Sequence, residues 1–362
     1  MAALDAVEWE VCSLEPVRNR AGERTLRAAL GMVPPSARYF LDSPWVTRAY
    51  ANLAGMPVHQ LSPDLTEMIT LVVSQDNACR YCYTATRSIM KILGFPESQI
   101  RRLEENFLAA DLSPADTAAL DFARRVSRAA PLASAADAQP LLAAGYSIAA
   151  VKEVAVFASN SVFFNRLSTL PALPPHQMDI AERWYIRLLR PFIASRMRTP
   201  RVTQPAILQP EQREGVFADF TNALDGLPTA SRLRAVLDEA WRPSALSPRL
   251  KALVFAIVAR GITCAPAERE AVRLLVADGM TPAEIEQALA HLSGPGVDPL
   301  QESALTLARE SIWYRPAELQ RHARAVGAQC TRQQFIELIG ITALANTVCR
   351  LSVALDLARQ EP

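Results

Sequence analysis

Apolar positions along this chain recur at three- and four-residue intervals rather than alternating. Residues 118–129 and 148–167 carry apolar side chains at helical spacing, in stretches rich in Ala, Leu and Arg, the pattern of helices with a buried face. The punctuation agrees. Ser113-Pro114-Ala115-Asp116 reads as an N-cap, a proline at the first helical position and an acidic first turn. Asp298-Pro299-Leu300-Gln301 repeats the cap and the proline. Gly94 and Gly279 sit where helices should end, each with a proline within three residues. Residues 66–75 read as a buried helix broken at Asp76-Asn77, with the next helix starting near Cys79. Strand-like alternation is scarce and glycine is low, at 13 of 362 residues. The pattern predicts an all-α fold.

The same pattern occurs twice. Leu61-Ser62-Pro63-Asp64-Leu65 matches Leu246-Ser247-Pro248-Arg249-Leu250 at an offset of 185. That offset also pairs Cys79 with Cys264, Gly94 with Gly279, Ile100 with Ile285, Pro114 with Pro299, Ala119-Leu120 with Ala304-Leu305, and Ala123-Arg124 with Ala308-Arg309. One residue is then lost, after which Glu153 pairs with Glu337 and Arg166-Leu167-Ser168 with Arg350-Leu351-Ser352. A register held over so long a stretch reads as a tandem duplication. Between the copies, residues 190–214 hold Pro191, Pro200, Pro205 and Pro210 with little periodicity, as a linker or surface strap would. The expected division is a first unit at 1–195, a Pro-rich linker at 196–215 and a second unit at 216–362. Residues 179–196 read as an amphipathic helix, with Trp184, Tyr185, Leu188 and Leu189 on one side, packed on the domain or a subunit partner rather than on a membrane. The apolar runs 154–164 and 335–344 are expected at an interface between the units, forming an intrachain pseudo-dimer, or in the cores beneath it.

Half the residues are apolar and the net charge is +1, which fits folded units with no nucleic-acid surface. No window approaches the run of about 18 apolar residues of a membrane helix, and the N-terminus lacks a basic start followed by an apolar stretch. A cytoplasmic protein without membrane contact is expected. Of six cysteines, only Cys79 and Cys82 are close in sequence. In a reducing compartment the other four, Cys12, Cys264, Cys330 and Cys349, read as inert buried thiols. One pair with no second pair and no nearby His cannot complete a zinc site, so no metal or cofactor is expected.

Two cysteines three apart in a first helical turn are neighbours, as disulfide exchange requires, and the helix's positive end favours thiolate. If the helices on either side of Asp76-Asn77 pack antiparallel, Glu67 lies level with residues near Thr86, about one turn beyond Cys82. Tyr81 and Tyr83 read as packing aromatics with a polar role as the alternative, and Glu67 has an alternative as a solvated or fold-holding carboxylate. The spacing Glu67-x11-Cys79-Arg80-Tyr81-Cys82, then Gly94, resembles the alkylhydroperoxidase D-like / carboxymuconolactone decarboxylase superfamily. The resemblance covers about 39–169 and 216–355 and includes the late pair Asn165-Arg166.

It implies that Cys82 attacks a peroxide, that Cys79 resolves the product as a disulfide, and that Glu67 relays protons together with a His four residues after Cys82. This chain has Thr86 there, and a hydroxyl cannot act as a base near neutral pH. The implied partners are a small-molecule oxidant and a dithiol or redox-protein reductant, with a homo-oligomer as a further implication. In the second copy Glu67 corresponds to Ala252 and Cys82 to Ala267, leaving Cys264 alone. Glu153/Glu337 and Arg166/Arg350 occur in both copies and read as fold-holding groups, a buried Glu–Arg pair among the options. The first copy is therefore expected to be active and the second a scaffold. The function expected is a thiol-dependent oxidoreductase. A decarboxylase-like lyase acting on a small carboxylic acid or lactone, and a non-catalytic scaffold, are the alternatives.

Overall fold

The computed structural model describes residues 4, 6–176, 189–195 and 207–356. Residues 177–188, most of the expected amphipathic helix, and 196–206 of the linker lie outside the described residues. The described chain is all-α, with no β-strand among the described residues. The helices are α1 (Arg20–Leu30), α2 (Pro44–Ala54), α3 (Pro63–Asp76), α4 (Arg80–Leu93), α5 (Glu97–Asn106), α6 (Pro114–Ser127), α7 (Gln139–Ala143) and α8 (Ile148–Thr169). Later in the chain come α9 (Ala218–Asn222), α10 (Pro228–Trp241), α11 (Pro248–Gly261), α12 (Ala265–Ala277), α13 (Pro282–His291), α14 (Pro299–Trp313), α15 (Pro316–Gly327) and α16 (Arg332–Ala354).

The expected caps are in place. The Ser113 hydroxyl accepts the Asp116 N–H at 3.0 Å. Asp298 accepts from the Gln301 N–H at 2.8 Å while Gln301 returns an acceptor to the Asp298 N–H at 3.0 Å. Gly94 and Gly279 take the left-handed conformation, φ +104° and +91°, just beyond α4 and α12. Helices α3 to α6 start at Pro63, Arg80, Glu97 and Pro114, and α11 to α14 start 185 residues later, at Pro248, Ala265, Pro282 and Pro299.

Helices α8 and α16 are buried on nearly every side, so they lack a polar face. They pack on each other, and around them α3 and α6 cover α8 while α11 and α14 cover α16. The runs 154–164 and 335–344 thus lie in this central contact. By length and composition α16 could cross a membrane, a feature that counting uninterrupted apolar residues missed; 94% of its apolar window is buried inside the fold. A second contact between the two parts of the chain joins α2 to α10.

Glu153 and Arg166 are not paired with each other, and neither are Glu337 and Arg350. The Glu153 carboxylate accepts the backbone N–H groups of His59 and Gln60 at 2.9 and 2.7 Å. Glu337 accepts from the Leu246 N–H at 3.0 Å and the Ser244 hydroxyl at 2.6 Å. Each carboxylate therefore holds the loop that leads into α3 or α11. The buried Arg166 donates two bonds to the Ser311 carbonyl, at 3.0 and 2.8 Å. Arg350 donates to the carbonyls of Ile312, at 2.8 Å, and Arg128. Carbonyls ending α6 and α14 carry partial negative charge and lack intrahelical partners, so they, rather than a carboxylate, receive the two guanidinium groups.

Candidate functional site

Between α3 and α4 the chain turns in three residues. Ala78 sits in the left-handed region at φ +45°, its N–H bonding the Gln75 carbonyl while the Cys79 N–H bonds that of Ser74. This is a Schellman closure made without glycine, and it sets Cys79 as the N-cap of α4. The Cys79 sulfur accepts the Cys82 N–H at 3.4 Å, and the Cys82 thiol donates to the Ser168 hydroxyl at 3.6 Å. Both cysteines are buried and unbridged. Arg80, between them, donates to the Ala172 and Leu173 carbonyls at 2.8 Å each and lies over the Trp9 ring. That contact ties the start of α4 to the end of α8.

Burial alone raises a thiol's pKa, but at Cys79 the Cys82 thiol, the Cys82 N–H and the Thr169 hydroxyl together reverse it, and the net shift is downward. Cys82 is pushed well up, by burial and then by the thiolate beside it. The pair is thus polarised, with Cys79 the more acidic thiol and Cys82 the less acidic. The resemblance assigned the attacking role to Cys82.

Glu67 is partly buried, and burial followed by the charge of Asp64 raises its carboxyl to about 7, a value suited to proton transfer near neutrality. It makes no hydrogen bond or ion pair with any described residue, so no direct bond joins it to either thiol. Thr86 is buried on α4. His176 does return to this helix: its backbone N–H donates to Thr84 at 2.8 Å and its ring meets Tyr81 edge-on at 5.7 Å. Residues 81 and 84 lie on a different face of α4 from residues 82 and 86, so the imidazole does not take the place of the His absent at Thr86. Tyr81 and Tyr83 are more than packing aromatics: Tyr81 accepts the Ser36 N–H at 3.1 Å and Tyr83 donates to Glu104 at 2.6 Å.

Four residues of the site went unassigned in the sequence reading. Ser168 and Thr169 come from the last turn of α8, and Asn165, quoted only in the resemblance, helps hold the Cys82 thiol. Tyr314 arrives from the end of α14, where its hydroxyl bonds the Thr169 hydroxyl at 2.6 Å and the Asn165 carbonyl at 3.1 Å. Its ring faces the Arg166 guanidinium at 4.7 Å. The signals available were the Ser168/Ser352 and Arg166/Arg350 matches; nothing in the sequence pointed to Tyr314. Among the described residues no group of three or more His, Cys, Asp and Glu side chains is gathered as a metal would require.

No protein-family model matches the chain, and no curated protein matches it. Two solved structures are similar to part of it. One is the alkylhydroperoxidase AhpD core of an uncharacterized peroxidase-related protein from Ralstonia eutropha JMP134. It is 23% identical over 46% of this chain and 94% of that one, with a TM-score of 0.41. The other is an uncharacterized peroxidase-related protein from Silicibacter sp. TM1040, 23% identical over 47% of this chain and 95% of that one, with a TM-score of 0.38.

Proposed function

We propose that this chain is a thiol–disulfide oxidoreductase that reduces a hydroperoxide or similar oxidant through Cys79 and Cys82. The observation that carries the reading is the paired geometry: Cys79 caps α4 and its sulfur accepts the N–H of Cys82 one turn on, with the acidities of the two thiols displaced in opposite directions. The Cys79 thiolate attacks the outer peroxide oxygen, the O–O bond breaks, and protonation releases an alcohol and leaves a sulfenic acid. The Cys82 thiol then displaces the hydroxyl as water and closes the disulfide, which an external dithiol or redox protein reduces back to two thiols. Glu67, titrating near neutrality, is the proposed proton relay, acting through water since it bonds neither sulfur. Thr86 lines α4 near Cys82 and orients that water.

In the same reading the chain is a tandem pair of related units, 1–195 and 216–362, joined by the linker 196–215. The shared helix starts and the contact of α8 with α16 support it. The test is peptide mass spectrometry after mild peroxide treatment. The segment holding both cysteines becomes lighter by two hydrogens; if both thiols remain alkylatable, the redox reading fails. In Cys82→Ser the sulfenic acid is trapped by dimedone on Cys79, whereas trapping on Cys82 in Cys79→Ser alone would restore the order implied by the resemblance.

A further inference from the structure

The second half contains a cysteine pair that sequence distance conceals. Cys264 follows the same turn as Cys79: Thr263 is left-handed at φ +55°, and the Cys264 N–H bonds the Ala259 carbonyl at 2.8 Å. Cys264 therefore stands at the start of α12. Its neighbour is not a residue three positions on, where Ala267 stands. It is Cys349, from α16, at the position equivalent to Asn165. Ala267 on α12 and Val348 and Ser352 on α16 line one cavity, and the two thiols are near enough to influence each other, as the Ala267 backbone and the Ser352 hydroxyl influence Cys264. These contacts, with the Arg269 charge, pull the Cys264 thiol down, while burial and then Cys264 push Cys349 well up. The polarity is that of Cys79 and Cys82.

A cavity of about 350 Å³ opens beside the pair, and its lining includes Pro266, Ala267, Arg269, Val348 and Ser352. Ala267 lies one turn beyond Cys264 on α12, and Val348 and Ser352 flank Cys349 along α16. We propose that Cys264 and Cys349 form a second redox-active dithiol, built across two helices rather than within one, reacting with small hydroperoxides admitted through this cavity. The inference does not depend on the reading of Cys79 and Cys82. Cys264 attacks the peroxide oxygen, the O–O bond breaks and an alcohol or water leaves. Cys349 displaces the resulting hydroxyl as water, and the S–S bond links α12 to α16. A small dithiol such as dithiothreitol returns both thiols.

The experiment uses the full chain carrying Cys79→Ser and Cys82→Ser, treated with excess hydrogen peroxide, quenched in acid and alkylated in denaturant. Peptide mass spectrometry is expected to show the Cys264 and Cys349 peptides joined, with two of the four remaining thiols lost and both recovered by dithiothreitol. Full alkylation of both, or Cys264 driven to sulfinic acid with no cross-link, overturns the proposal. The wild-type chain is read in parallel, so that misfolding of the variant cannot decide the matter. There a cross-link confined to Cys79 and Cys82 under excess peroxide also overturns it. In Cys349→Ser, dimedone is expected to label Cys264, and labelling no greater than in Cys264→Ser counts against it.

Discussion

At the scale of single residues, the dithiol works by contrast between near-identical groups. Cys79 and Cys82 are both buried, yet one sulfur receives N–H and hydroxyl donors and the other gives a proton away. Cys79 is therefore expected to ionise below the usual thiol range, and Cys82→Ala, which removes one donor, to move that ionisation upward. Ultraviolet thiolate absorbance against pH, with Cys79→Ser as the blank, measures both. Glu67 has the opposite displacement, raised from 4.5 to about 7. Below about pH 4.5 it is protonated whether the chain is folded or not. Between 4.5 and 7 folding opposes its ionisation, so stability falls across that window. Glu67→Gln is expected to stabilise the protein by up to about 3 kcal/mol at pH 8 and to make no difference at pH 4, read from urea unfolding. Thr86→His is expected to raise peroxide reduction roughly 10- to 100-fold, at or below the usual gain from a positioned base. No gain would show a site shaped for another substrate. The motif exposed Cys79, Cys82, Glu67 and Thr86 because they lie within 20 residues of one another; Ser168, Thr169 and Tyr314 were hidden because folding alone brings them there.

At the scale of helices, the ends were more legible than the turns between them. Ser113, Asp298, Gly94 and Gly279 announce themselves through residue types that satisfy free N–H or carbonyl groups. The left-handed positions before Cys79 and Cys264 do not, since Ala78 and Thr263 are poor residues for them. A left-handed non-glycine residue costs about 1–2 kcal/mol, more uncomfortable still for a β-branched one. Glycine would remove that cost and add about 0.5–1 kcal/mol of backbone entropy loss on folding. Thr263→Gly is accordingly expected to stabilise by about 0.5–1 kcal/mol, seen as a higher thermal midpoint. A drop would mean that the bond from the Thr263 hydroxyl to the Ile262 carbonyl, at 2.6 Å, outweighs the strain.

Across the whole molecule, the two parts of the chain interlock. Beyond the α8–α16 and α2–α10 contacts, Arg166 and Arg350 each reach a carbonyl in the other part, and the Thr347 hydroxyl meets the Ser159 carbonyl at 3.2 Å. Residues 1–195 expressed alone should then dimerise or precipitate, and a monomer by size exclusion with light scattering would show an independent domain. Gly340 tests the junction more finely. Alanine inside a helix ordinarily gains about 1 kcal/mol over glycine. A Cβ here would lie 2.8 Å from both Trp45 and Val46 of α2, and such overpacking costs about 1–3 kcal/mol. Gly340→Ala is expected to destabilise, measured by chemical unfolding. The hydrophobic spacing made the all-α class and the long buried helices legible. Which buried charges hold the junction was not, because Glu and Arg side chains can serve backbone groups as well as each other.

The packing of α8 on α16 also has a consequence in time. A ribosome adding about 5–20 residues per second needs roughly 10 to 40 s to synthesise the stretch from the end of α8 to the end of α16. Throughout that interval α8 has no partner for the apolar face that α16 will cover. Nascent chains arrested near residue 300 are expected to remain sensitive to protease within α8 and to be held by chaperones. Chains carried past α16 should become resistant in one step, which makes the synthesis of α16 the event that completes the core.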